Sequence, residues 1–405
     1  MKKPRILFLI CMVAIGLYSC DRIMETPEDT NIPEPKYFKE VLRDSTFTLV
    51  QLKDALLSVY PIDIGSNENL FKFIDLLDST RTVHSTAISY MTKDPRGNDI
   101  LASGLIVEPV GQRSKGVVHF FPSAKIDKST IGSEIMLTFE GVLGFFGYTI
   151  IIPDLVGYGV SDHVEYPFLY SDNTGQVSYD LHLAAAEYFQ SIGRTFPKKV
   201  TLAGYSMGGM GVVALHRHIE QQIPQKFEIV HSYPGGGVYD LGRAVDFYKE
   251  HRRCEFAFLP YMFVSMNFWY DLNLDYSQIF IDPLLANMDD WLSRKYLSHE
   301  MKEFLAPEMD TYMHPDFFTP EGNVHLNKVD SCLRLHSVLD GWAPKAPMTI
   351  VHSVNDAVAP FTIAEEMYNN FRKKSNRVTL MTSTEDHFSY GIEYFASLLI
   401  YLTIK

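Results

Sequence analysis

From Thr82 to Val110 the chain alternates apolar and polar residues, in TVHSTAISYMTKD and NDILASGLIVEPV, on either side of Pro95-Arg96-Gly97-Asn98. A period of two flanking a turn of that composition predicts an antiparallel β-hairpin. Beyond it the pattern changes to short unbroken apolar runs separated by helix-like stretches. GVVHFFPSA precedes EIMLTFEGVLGFFG, and YTIIIPDLVGYG precedes a Tyr- and Asp-bearing loop and LHLAAAEYFQSIG. VTLAG precedes MGVVALHRHI, FEIVHSY precedes a long interruption, and MTIVHSVND precedes AEEMYNNF. Strands without alternation are buried on both faces, and their regular exchange with helices predicts a mostly parallel sheet covered on each side. The expected class is α/β, introduced by an antiparallel hairpin.

Two segments stand outside this rhythm. Residues 21 to 44 are polar, Pro-bearing and without period, which predicts a tether, followed by a helix from Thr48 to Tyr60 with Leu49, Leu52, Leu56 and Val59 at helical spacing. Residues 238 to 340 interrupt the strand–helix exchange. They are rich in aromatics (Phe256, Phe258, Tyr261, Phe263, Phe268, Trp269, Tyr270, Tyr276, Phe280, Trp291) and hold helix-like pieces in DDWLSRKYL and in NKVDSCLRLHSVLD, the latter stopped by Gly341. An insertion of this length is far beyond an ordinary connection, so a helical subdomain is expected there.

Chemistry enters at VTLAGYSMGGMGVVALH, residues 200 to 216, where Gly204, Ser206 and Gly208 occupy alternate positions at a strand-to-helix junction. A serine hydroxyl is a weak nucleophile unless it is lifted clear of the sheet on strained backbone, and the flanking glycines make room for that turn. The Met207 N–H, at the helix start, then faces developing negative charge. The bland alternative is a Gly-rich turn with Ser206 as a helix cap. A base and an orienting acid are sought on later strand ends. MTIVHSV runs into Asn355-Asp356, and RVTLMTST runs into Glu385-Asp386-His387. The order Ser206, Asp356, His387, each directly after an apolar strand, is that of a nucleophile, acid and base triad. Taken singly, Asp356 as a helix cap and His387 as a surface histidine are equally ordinary. His352 reads as structural, Glu385 and Asp386 point away from their neighbour His387, and Asp154 and Asp162 read as turn residues.

Composition narrows the setting. A chain of 405 residues with 46% hydrophobic content can bury a large core. MKKPRILFLICMVAIGLYSC opens with Lys2, Lys3 and Arg5, then an apolar run from Ile6 to Leu17, which predicts a signal peptide over residues 1–19. Leu17-Tyr18-Ser19-Cys20 resembles a bacterial lipobox, which implies lipidation of Cys20 and a place in the bacterial cell envelope, periplasmic or on the outer surface; an ordinary cleaved signal and an uncleaved anchor are the alternatives. Loss of residues 1–19 removes three positive charges and no negative ones, taking the net charge from −13 to −16. An acidic chain without a Lys/Arg block argues against nucleic-acid partners and against docking on anionic lipid, which leaves the acyl chains on Cys20 as the anchor. Once Cys11 and Cys20 are set aside, Cys254 and Cys332 remain, as a disulfide or as two buried thiols. No Cys/His spacing suggests a metal, and no cofactor is called for.

The elbow GYSMGG, with HSVNDAVAP and DHFSYG, resembles the α/β-hydrolase superfamily. SGLIVEP, PDLVGYG, YPGGGVYDL and the lid-sized insertion are similar to the secretory lipase family, which includes fungal lipases and bacterial esterases. The likeness runs from about residue 80 to the C-terminus. It implies an α/β-hydrolase core over 67–237 and 341–405, a helical lid over 238–340, and a tether with its helix over 20–66. One departure stands out. The family's His-Gly-Thr-like sequence after the GVVHFF strand, whose last residue gives the second oxyanion-hole N–H, is replaced by Pro122, Ser123 and Ala124. Proline has no N–H, so Ala124 is expected by position to partner Met207 in the oxyanion hole, with Ser123 the alternative.

These features lead to an extracytoplasmic serine hydrolase of carboxylic esters, acting on a small-molecule ester with an apolar or aromatic acyl group suited to the aromatic lid. Those lid residues read equally as the lid's own core. The alternatives are a prolyl-type peptidase, a polysaccharide acetyl or feruloyl esterase, and a non-catalytic surface lipoprotein that binds a ligand.

Overall fold

The computed structural model of the chain describes residues 34–58, 74–75, 77–255, 258–298, 300–339 and 341–404. The expected signal peptide, Cys20, most of the tether, the last residues of the first helix and Phe256 lie outside the described residues. Residues 36 to 405 form one compact unit.

Nine strands make one sheet: β1 (Phe38–Thr48), β2 (Thr82–Lys93), β3 (Asp99–Pro109), β4 (Val117–Phe121), β5 (Thr149–Pro153), β6 (Lys199–Tyr205), β7 (Glu228–Gly235), β8 (Met348–Ser353) and β9 (Val378–Ser383). Their order is β1-β2-β3-β5-β4-β6-β7-β8-β9. β1, β2, β3 and β5 pair antiparallel, and the rest pair parallel. The expected hairpin is β2–β3, closed by Asp94, whose carboxylate accepts from the amides of Arg96 and Asn98 at 2.8 and 2.9 Å. The central strands β4 and β5 are buried at every position, as unbroken apolar runs require.

Helices α1 (Leu49–Ser58), α2 (Ser171–Ser191), α3 (Met207–Gln221), α4 (Leu241–His251), α5 (Leu259–Tyr270), α6 (Leu284–Trp291), α7 (Val324–Arg334), α8 (Phe361–Arg372) and α9 (His387–Ile404) complete the fold. Apolar residues of α2, α3 and α8 cover one face of the sheet, in a core continuous with that of the insertion. Those of α1 and α9 cover the other. Helices α4 to α7 lie in the insertion between β7 and β8, where Phe263, Phe280, Tyr312 and Phe317 are fully buried and make the insertion's own core.

Several expectations are corrected. The segment read as a tether ends at β1, an edge strand hydrogen-bonded to β2 from Phe38 onward. Its pairing shifts register between Phe38 and Glu40 and again between Val41 and Arg43, and such bulges erase the period of two that marks a strand in sequence. Glu187 on α2 holds its entry, accepting from the amides of Tyr37 and Phe38 at 2.7 and 2.8 Å. EIMLTFEGVLGFFG forms two single turns, Gly132–Ile135 and Val142–Phe145, because Met136 takes a left-handed backbone at φ 60° and the three glycines beyond it weaken helix formation. Helix α2 starts ten residues before the LHLAAA run, at Ser171. Helix α7 ends at Arg334, short of Gly341; Asn323 caps its start, accepting from the amides of His325 and Leu326. Of the two arrangements open to Cys254 and Cys332, the structure has two buried thiols with no disulfide between them.

Candidate active site

β6 turns into α3 through Ser206, which adopts φ 59° and ψ −124°. A non-glycine residue in that region is strained and is held there by its surroundings. The Ser206 amide donates to the Gly235 carbonyl at 2.9 Å, and its own carbonyl accepts from the Gly209 amide at 2.9 Å. A Cβ on Gly204 would meet the Gly208 carbonyl oxygen at 2.6 Å, and one on Gly208 would meet the Phe121 carbonyl oxygen at 2.5 Å. The glycines thus permit the close approach of strand, turn and helix. Ser206 makes no side-chain cap to α3, so the cap reading falls.

The hydroxyl instead meets His387. Ser206 Oγ lies 3.0 Å from His387 Nε2, and His387 Nδ1 lies 2.6 Å from Asp356 Oδ2. A carboxylate only accepts, so Nδ1–H donates to Asp356 and the Nε2 lone pair faces the serine O–H. Asp356 Oδ1 accepts from the amides of Val358 and Ala359 at 2.9 and 2.7 Å, which fixes the carboxylate's orientation. The three residues lie at the carboxyl ends of β6, β8 and β9 and are gathered at one sheet edge. His387 and Asp356 are buried, and Ser206 is half-buried.

Their supports were only partly visible in the sequence. Asp386 caps α9, accepting from the amides of Phe388 and Ser389, so His387 is the first residue of a helix rather than a loop residue. Tyr205 donates to the His387 carbonyl at 2.8 Å. Tyr394 on α9 accepts from the Gly204 amide and donates to the Tyr233 carbonyl, tying the helix that begins at His387 to β6 and β7. Asn355 donates to the Thr384 carbonyl at 2.6 Å, and Ser353 donates to the Glu385 carbonyl, which bind the acid loop to the base loop. His352, four residues before Asp356, is fully buried; its Nε2 donates to the Ala359 carbonyl at 2.7 Å and stands 3.6 Å from Asp356 Oδ2. Burial lowers its pKa, against the pull of Asp356. It is structural, as expected, and the structure it supports is the acid loop.

Beside Ser206 a narrow cleft opens, lined by Ala124, Met207, Phe168, Leu169, Val238, Leu241, Tyr248, Phe258, Leu259, Met262 and Val358 among others. Phe258 and Met262 of the aromatic insertion face it, whereas Phe263 and Phe280 are core. The amides of Met207 and Ala124 donate to no backbone carbonyl among the described residues, and both residues share the cleft wall with Ser206. Ser123 lines the neighbouring cavity instead, its hydroxyl 3.4 Å from the Tyr205 carbonyl. Asp154 accepts from the Ser103 hydroxyl at 2.6 Å and the Ser133 amide at 3.1 Å, with burial raising its pKa. Asp162 is exposed. Both stand apart from the triad. Among the described residues no group of three or more His, Cys, Asp or Glu converges on a metal site, and no helix is long and apolar enough to cross a membrane.

No family model matches the chain, and no curated protein matches it. Solved structures do. A protein of Legionella pneumophila is similar over 90% of this chain and 98% of its own, at 20% identity and a TM-score of 0.74. The rice cell wall degrading esterase LipA of Xanthomonas oryzae is similar over 91% and 95%, at 22% identity and a TM-score of 0.70. Candida antarctica lipase A in its closed state is similar over 89% and 81%, at 13% identity and a TM-score of 0.59. At such identities likeness speaks for architecture. With its parallel sheet, antiparallel leading strands and strained serine turn between β6 and α3, the chain has the α/β-hydrolase fold.

Proposed function

We propose that this protein is a serine hydrolase of carboxylic esters, working through Ser206, His387 and Asp356 and a covalent acyl-enzyme. The observation that carries this reading is the unbroken line from the Ser206 hydroxyl through both nitrogens of His387 to a doubly anchored carboxylate. His387 takes the Ser206 proton as Oγ attacks the ester carbonyl, and Asp356 holds the imidazolium that results. The oxyanion accepts from the Met207 and Ala124 amides, each worth about 3 kcal/mol. His387 then gives its proton to the departing alcohol, and water, deprotonated in turn by His387, hydrolyses the acyl–Ser206 ester. The apolar cleft beside Ser206 suits an aliphatic or aromatic acyl group; each added methylene it buries contributes about 0.8 kcal/mol, or roughly fourfold in kcat/KM.

A fluorophosphonate probe tests the reading: it should label the wild-type protein on Ser206 and leave Ser206→Ala unlabelled and inactive. Absence of labelling on the folded wild type would favour a non-catalytic ligand-binding lipoprotein. A second reading, release of acetyl or feruloyl groups from polysaccharide, is favoured by the likeness to the Xanthomonas esterase. p-Nitrophenyl esters of graded chain length, set beside feruloyl esters and a dipeptide amide, separate these substrates and the peptidase alternative. We also assign the protein to a bacterial cell envelope, anchored through lipidated Cys20, on the strength of Lys2, Lys3, Arg5, the apolar run and Ser19-Cys20. Cells fed an alkynyl fatty acid should label the wild type and not Cys20→Ala.

A further inference from the structure

Residues 122 to 127, which include Ala124, make no backbone–backbone hydrogen bond among the described residues, so the segment has no regular structure to hold it. Its restraints come from outside. The Tyr158 hydroxyl donates to the Lys125 carbonyl, Arg294 Nε lies 3.4 Å from the Ile126 carbonyl, and the Lys128 amide donates to the Arg294 carbonyl at 3.2 Å. Arg294 is a residue of the inserted subdomain. Its guanidinium carbon sits 4.1 Å from the centre of the Tyr158 ring and 5.5 Å from that of Tyr166, and the Tyr166 hydroxyl reaches Met207 Sδ at 2.9 Å. A single insertion residue thus reaches the loop that carries Ala124 and, through Tyr166, the side chain of Met207, the two residues whose amides the proposed mechanism assigns to the oxyanion.

Arg294 keeps this place against physical preference. It is 6% exposed, its Nη2 has no hydrogen-bond partner among the described residues, and its backbone is left-handed at φ 64°. A buried cation with an unfilled donor on a strained backbone is costly, and such costs concentrate where a site needs a particular geometry.

We infer that Arg294 is a positioning residue for the oxyanion hole, which makes the inserted subdomain a working part of the catalytic centre as well as the wall of its cleft. The inference rests on the serine-esterase reading. Removing this brace lets the Ala124 amide drift, and displacement by about 1 Å is enough to cost on the order of a hundredfold in rate. Arg294→Met should lower kcat for p-nitrophenyl butyrate about 10- to 100-fold with KM within about twofold. It should weaken inhibition by an alkylboronic acid, a mimic of the tetrahedral anion, by the same factor. Arg294→Lys, which retains a donor and a charge, should recover part of that loss. Tyr158→Phe removes the hydroxyl that holds the Lys125 carbonyl while keeping the ring beneath Arg294, and it should also lower kcat selectively; this variant keeps the inference open to test if Arg294→Met fails to fold. Unchanged kcat, or a rise in KM alone, in folded variants overturns the inference. The Ser206→Ala control separates the two levels: full ester cleavage by that variant sinks the esterase reading itself, whereas an inactive Ser206→Ala beside fully active Arg294 and Tyr158 variants sinks only the brace.

Discussion

At the scale of single residues, the site depends on positions that tolerate almost no change of shape or charge. Asp356→Asn should leave the fold intact and lower kcat by about 10⁴, because an amide in place of the carboxylate favours the imidazole tautomer that cannot take the serine proton. Steady-state rates on p-nitrophenyl butyrate, with a circular dichroism spectrum as the folding control, check this. Gly208→Ala acts differently. Its new Cβ would lie 2.5 Å from the Phe121 carbonyl oxygen, a backbone atom that has no rotamer to adopt. The expected cost is about 1 to 3 kcal/mol, seen as a lower urea midpoint, together with loss of activity as the strand that leads into Pro122 to Ala124 shifts. Ser206, Asp356 and His387 were legible one by one because each comes directly after an apolar run. His352 was legible as structural, yet its contact with the acid loop was not, since four residues of spacing mean little until Asp356 folds back over the strand end.

At the scale of elements, the central strands and most helices follow from local pattern, and the misread ones share a cause. β1 is an edge strand, mostly exposed and twice bulged, so no buried face imposes a period on it. The stretch after Gly132 is mostly apolar and without a clear period, and such a pattern does not distinguish a helix from loops buried under α9. Helix α9 itself joins element to the proposed chemistry, because its cap Asp386 directly precedes His387. Asp386→Ala should cost about 1 kcal/mol in urea denaturation and also reduce kcat, as the first turn that bears His387 frays. The bonds from Ser389 and Phe388 hold the Asp386 carboxyl below its usual pKa. Its contribution is therefore present at neutral pH and lost as pH falls through that lowered value.

For the whole molecule, the pH dependence of stability should be set by buried histidines. His119 and His182 stack with ring centres 4.8 Å apart, fully buried, and no ring nitrogen of either has a hydrogen-bond partner among the described residues. Burial pushes the pKa of His182 down to about 3 and that of His119 well below 6.5. His336 is pushed to about 4, and His216 and His352 are also lowered by burial. Such groups bind protons more readily in the unfolded chain than in the folded one. Stability is therefore full above the unfolded value of about 6.5 and declines as pH falls below it. Urea midpoints measured from pH 8 to pH 5 should drop steadily below about 6.5, and His182→Phe should flatten that slope; a flat profile in the wild type would refute the account.

By itself the sequence determined the class of fold and pointed to Ser206, Asp356 and His387, the side chains on which the proposed chemistry rests. These rest on local physics: the period of burial along a strand, and the backbone strain that demands glycine on either side of Ser206. Tertiary structure alone decided that Ser206 and His387, 181 residues apart, approach to 3.0 Å. It also decided which aromatics of the insertion face the cleft, that Ala124 and not Ser123 shares the wall with Ser206, and that Arg294 reaches the same loop from a distant part of the chain. The physical reason is that convergence depends on sheet order and on how the insertion folds back over the carboxyl edge, and neither leaves a period or a spacing in the linear chain.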